Sequence, residues 1–174
     1  RPETAAEYVQ RKGGMKMRNA VASIETYYER GMGFLFRLID ECPDELWGKK
    51  GGGFFYWQQL YHAFYCVDYF LLPAGSEFPE KPYGSAVAMF RETLDTVPAK
   101  DEIREYGAMM KAKADAWIAA LDDGMLGDRH EGMSERRKTE VTNAGVLTSL
   151  CGHNMYHVGC LDSVLRENGL KGVY

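Results

Sequence analysis

The 174-residue chain lacks any run of about 18 apolar residues, so no segment reads as a membrane-spanning helix. Its first residues also lack the apolar core of a secretory signal. Cysteine is sparse, and Cys42, Cys66, Cys151 and Cys160 form no C-x-x-C pair. That excludes a locally written redox pair or thiolate zinc knuckle. Free thiols in a cytoplasmic protein are the expectation. There is no phosphate-cradling glycine motif before a helix, no H-E-x-x-H and no evident Ser-His-Asp arrangement. No cluster of acids prescribes two-metal hydrolysis. A formal net charge of -4 gives no broad attraction to a nucleic-acid backbone. The one short basic run, Arg136, Arg137 and Lys138, is flanked by acids and reads as a solvated loop.

What the chain does have is apolar mass. Hydrophobic residues make up 45% and charged residues 26%, a globular balance. Eleven Tyr, eight Phe and three Trp suggest an interior filled with large rings. The length fits one domain, residues 1–174.

Helical periodicity organises most of it. Thr4 through Glu7 can cap a short opening helix ended by Gly13-Gly14. From about Ala20 to Cys42, residues Ile24, Tyr28, Leu35, Leu38 and Cys42 make one stripe, which Pro43 stops. Gly31 falls on that stripe, as if a neighbouring element came close there. After Gly51-Gly52-Gly53, the aromatic segment Phe54 to Leu72 is too long and too unalternating for a strand. A Pro- and Gly-rich connection follows, with a helical turn or two around Ala86–Phe90. Thr96 as cap and Pro98 in the first turn predict a third helix, with Ile103, Tyr106, Met110, Trp117 and Leu121 on one face. A second connection runs from Gly124 through Lys138. The last helix is predicted from Thr142 or Asn143 to just before Gly169, a left-handed cap. Four long helices with connections long enough to cross the bundle imply an all-α four-helix bundle.

The last helix carries H-N-M-Y-H, with His153 and His157 inside the apolar stripe Val146, Leu150, Leu161 and Val164. Residues four apart face the same way, so the two imidazoles can converge on one ion. Two interior histidines, each hydrogen-bonded locally, would give the same pattern. His62 lies in the middle of the most apolar helix, where an unpaired imidazole is costly. One histidine from one helix and two from another make a three-imidazole set of the kind that leaves a coordination position open. His130, in a charged Gly-rich loop, is expected to be exposed.

These pieces resemble the DinB/YfiT-like superfamily of metal-binding four-helix bundles over nearly the full chain. The matching residues are Trp57-x-x-x-x-His62, continuing through Tyr65, Asp68 and Tyr69 into Leu71-Leu72, and His153-x-x-x-His157-x-Gly159 running on to Gly169. The resemblance implies a divalent ion, commonly zinc or nickel, held by His62, His153 and His157. It also implies a bundle with long crossover connections and a homodimer. Many relatives have Gly-Gln where this chain has Gly159-Cys160, and His or Arg where it has Tyr156.

Three neutral imidazoles suit zinc or nickel better than calcium or magnesium. On a helical wheel Gln58, Tyr65, Cys66 and Tyr69 fall within roughly 60° of His62. Gln58 and Tyr65 are the candidate catalytic residues, with pocket lining as their other reading. Cys66 and Cys160 are possible sulfur neighbours, and Glu25 or Glu29 could bring a carboxylate from another helix. Asp68 and Asp162 point away and suit packing. Two functions follow as expectations. One is a metal-dependent thiol transferase or hydrolase acting on a small molecule, with a low-molecular-weight thiol as the possible partner. The other is a non-catalytic metal-binding or ligand-sensing bundle.

Overall fold

The structure, a computed structural model, describes residues 17–174. The opening helix expected around Thr4 to Glu7 lies outside the described residues. Four long helices dominate: α1 (Asn19–Glu41), α3 (Tyr56–Leu71), α5 (Lys100–Ala120) and α7 (Asn143–Glu167). Short helices α2 (Asp44–Trp47), α4 (Gly84–Ala88) and α6 (Glu131–Arg137) and a 3-10 turn (Asp123–Gly127) lie in the connections. Among the described residues, no helix is long and apolar enough to cross a membrane.

Local chemistry sets the helix ends. The Thr142 side chain accepts the Gly145 N–H and starts α7. Gly169, at φ +79°, takes the left-handed turn just beyond its end. The start of α5 differs from expectation. Its cap is Ala99, and Glu102 reaches back to accept the Ala99 N–H at 2.7 Å. Thr96 and Pro98 therefore precede the helix. Phe54 and Phe55 also depart from the expected helix. Gly52 and Gly53, both at positive φ, close a turn that pairs Lys50 with Phe55 and Gly51 with Phe54 in a two-stranded ribbon.

α1 packs on α7, α7 on α3, α3 on α5 and α5 on α1, so the sequence-successive pairs α1/α3 and α5/α7 sit diagonally. Those two connections cross the bundle end. The third, between α3 and α5, joins parallel neighbours: Tyr61 meets Tyr106, and Asp68 meets Lys113 farther along both. Such a pair needs a chain long enough to return the full helix length, and residues 72–99 supply it. Gly31 does mark a close approach. A Cβ there would lie 3.3 Å from the Cβ of Asn154 on α7. The interior between the four rods holds Tyr28, Tyr56, Trp57, Tyr61 and Phe64, all fully buried.

α6 was not anticipated within the second long connection. It docks backbone to backbone on the end of α3: a Cβ at Gly132 would stand 2.0 Å from the Leu72 carbonyl oxygen. Arg136 donates to the same carbonyl at 2.8 Å and lies over the Tyr69 ring. The basic run is thus partly structural. Gly132→Ala is expected to destabilise the protein toward the upper end of ~1–3 kcal/mol, because backbone cannot rotate out of the way. Calorimetry should show the melting temperature lowered by about 6–10 °C.

Candidate metal centre

α3 and α7 run antiparallel and bring His62 against His153 and His157. Ring centroids stand 5.1 Å apart for His62–His153, 4.8 Å for His62–His157 and 4.6 Å for His153–His157. One nitrogen from each ring lies within 4.8 Å of the others. The three-histidine cluster legible in the sequence is therefore assembled in space.

The orientation of His62 is fixed from behind. Its Nδ1 lies 2.7 Å from the Ala88 carbonyl at the end of α4, which in the neutral ring makes Nδ1 the donor. Nε2 then carries the lone pair, 3.1 Å from His153 Nε2. Two imidazoles bound about 2.0–2.1 Å from one ion stand roughly 3.0–3.4 Å apart, so this edge already has ligand spacing. His153 Nδ1 and His157 Nδ1 are buried without a hydrogen-bond partner among the described residues. Burial pushes all three imidazoles toward the neutral form: His62 is lowered, His153 falls to about 4 and His157 to about 3, the last two further depressed by their ring neighbours. Neutral imidazole is the ligating form. The donor set, spacing and protonation fit a divalent ion.

The cluster opens into a cavity of about 510 Å³. Phe54 of the ribbon and Phe90 after α4 make one wall, rings 4.1 Å apart, with Phe90 also 4.6 Å from His62. Phe90 sits at φ +59°, a backbone conformation that costs a side-chain-bearing residue about 1 kcal/mol or more. The ring contact with His62 accompanies that cost. The opposite wall is α7, presenting Tyr156, Cys160, Ser163 and Glu167. Tyr156 is exposed and edges onto His157 at 5.0 Å, and its hydrogen bond with Cys160 raises the phenol's pKa. Ser163 donates to Glu167 at 3.1 Å. Gln59 lines the cavity from α3, its amide donating to the Gly51 carbonyl.

Gln58 and Tyr65 are placed elsewhere. Gln58 Nε2 donates to the carbonyls of Val87 and Glu92, 2.8 and 2.7 Å away, and ties the α4 segment to α3. Tyr65 stacks on Phe78 and lies 5.8 Å from the Lys81 ammonium. Neither lines the histidine cavity. At roughly 100° per residue, Gln58 and Tyr65 fall on one side of His62, and Gln59 and Cys66 on the other. α7 packs on the second side. The wheel gave distance from His62 but not the side on which the partner helix would lie. Phe54, Phe90 and Glu167 carried no signal, because their approach depends on how the ribbon and α4 fold over the site.

Cys66 Sγ stands 3.6 Å from His62 Nε2, and burial pushes its thiol up to about 12. Glu25 and Glu29 do not reach the pocket: they pair with Arg18 and Lys111. Asp68 and Asp162 serve packing, as their angles suggested. Asp162 holds Arg166 and accepts the N–H groups of Val173 and Tyr174. His130, expected to be exposed, is half-buried. Its Nδ1 accepts the Met133 N–H and caps α6, while Trp117 covers the ring.

No family model and no curated protein matches this chain. Among solved structures, the crystal structure of a DinB-like protein from Bacillus cereus is similar, with a TM-score of 0.61 over 87% of this chain and 95% of that one. The fold is DinB-like. Sequence identity is 17%, so the likeness is one of architecture. In this DinB-like bundle the histidine cluster sits between α3 and α7, capable of coordinating a divalent metal.

Proposed function

We propose that the protein is a metal-dependent enzyme that transfers a small thiol to, or hydrolyses, a small molecule. His62, His153 and His157 would hold one zinc or nickel ion. The observation that carries this reading is a neutral three-imidazole cluster opening onto a cavity of about 510 Å³. Sites of this donor number with solvent access leave room for an exchangeable ligand. Bound there, the ion would supply Lewis acidity that favours the anionic, nucleophilic form of a thiol or water.

The chain's own residues do the rest. The Ala88 carbonyl holds His62 in one tautomer, so its Nε2 lone pair faces the centre without rearrangement. Phe54 and Phe90 exclude water from one side and offer an apolar surface for the substrate body. Tyr156 and Gln59 on the cavity wall are polar groups able to orient a substrate by hydrogen bonds.

A second reading rests on a specific observation. Among the described residues Glu167 is the one carboxylate on the cavity wall, ten residues from His157 and thus roughly 15 Å along α7. Among the described residues no carboxylate stands beside the histidines as a general base, which favours a metal-bound sensor that captures a ligand without turnover. The two separate in one assay. Metal-loaded protein, given a small aryl electrophile with a low-molecular-weight thiol, or an activated ester alone, is expected to turn over at least one of them. The rate should vanish on chelation and in His157→Ala, and return to the parent when zinc or nickel is restored. Fully loaded protein inert toward both substrate types would leave the sensor.

A further inference from the structure

A second cluster of charge lies roughly 120° around α3 from His62. The Asp68 carboxylate, 1% exposed, receives the ammonium groups of both Lys81 and Lys113. The Lys81 side chain is 5% exposed and Lys113 is 38% exposed. Two cations on one anion leave one positive charge in surplus. Desolvation and the repulsion of Lys113 push Lys81 down to about 8. The Lys81 ammonium faces the rings of Tyr65 and Tyr106 at 5.8 and 5.9 Å. Tyr106 adds a buried hydroxyl with no hydrogen-bond partner among the described residues.

This cluster floors a cavity of about 580 Å³. Its walls are apolar: Pro79 from the α3–α5 connection and Met109, which is 65% exposed despite its apolar chain. Glu80 also borders it, but is exposed, where water screens its charge. No histidine of the metal centre lines this space.

We propose that this cavity is a second binding site, for a small organic monocarboxylate. The carboxylate sits against the ammonium groups of Lys113 and Lys81, and its short hydrocarbon chain lies along Met109 and Pro79. A single negative charge matches the single surplus positive one. A phosphate dianion would over-compensate it and leave the apolar wall unused. A cation would add to an excess already present.

Titration of the metal-loaded protein with valerate, followed by the methionine methyl resonances, tests this site. Saturable shifts of the Met109 and Met110 methyls are expected. Lys113→Gln should weaken binding by on the order of tenfold or more, since an ammonium–carboxylate hydrogen bond is removed. His62→Ala should bind valerate as the parent does. Shifts that do not saturate, unaltered affinity in Lys113→Gln, or loss of binding in His62→Ala would each overturn the site. So would inorganic phosphate or pentylamine binding as tightly as valerate. Should Lys113→Gln fail to fold, Met109→Glu places a negative charge at an exposed position on the wall. It is expected to weaken valerate binding to the same degree, and parent affinity in that variant overturns the proposal equally.

Discussion

Protein purified without a histidine tag is expected to carry about one zinc or nickel ion per chain, and His62→Ala and His153→Ala are each expected to lose most of it. Each histidine would supply one of the three donors of the proposed site, on different helices or different turns. Removing a supporting group around a metal typically costs 10–100-fold in affinity, so removing a ligand should cost more than about 100-fold. Elemental analysis after gel filtration reads the outcome directly. Chelation of the parent should also lower its melting temperature. An ion present at about 100 times its dissociation constant contributes roughly 2.7 kcal/mol, or about 5–10 °C in a chain of this size. Full stoichiometry retained in both variants would remove the proposed ligand set.

Asp68→Asn is expected to destabilise the protein by about 3–5 kcal/mol. Asp68 is the buried counter-charge of Lys81, and the amide cannot replace it. What remains is a desolvated ammonium beside a second one, Lys113. The sign of the pH response follows from that. A lysine whose pKa is depressed in the fold binds fewer protons there than in the unfolded chain. Stability therefore rises with pH up to the unfolded value near 10.4, from a folded value that is about 8 in the parent and lower once Asp68 is removed. Denaturant unfolding of Asp68→Asn at pH 7 and pH 9.5 should show recovery at the higher pH. The double variant Asp68→Leu with Lys81→Met should regain most of the loss, because neither charge is then stranded.

Both predictions turn on residues whose type and spacing were plain in the chain, but whose partners were not. The apolar period of 3.6 residues marks α1, α3, α5 and α7, because burial of one stripe is what makes a helix worth forming in a bundle. His153 and His157 share a face for the same geometric reason. Asp68 and Asp162 were assigned to packing from their angles alone, and each now holds cations or backbone N–H groups. The misplacements share one cause. Gln58 and Gln59 are similarly close to His62 around the helix, and only the side taken by α7 decides that Gln59 enters the cavity while Gln58 clamps α4. Phe54 left the helical reading because two glycines at positive φ turned it into a paired strand. His130 left the solvent because α6, itself unanticipated, needed a cap.

Residue spacing by itself thus determined the helical class, the four long rods and the three imidazoles on two of them, since these depend on intervals a few residues long. Tertiary structure alone decided the diagonal crossings, the aromatic wall over His62 and the charged cavity on the opposite flank of α3. Those depend on which rods become neighbours and on which side. That choice is made by the summed packing of every helix face at once, and no local window of the chain contains it.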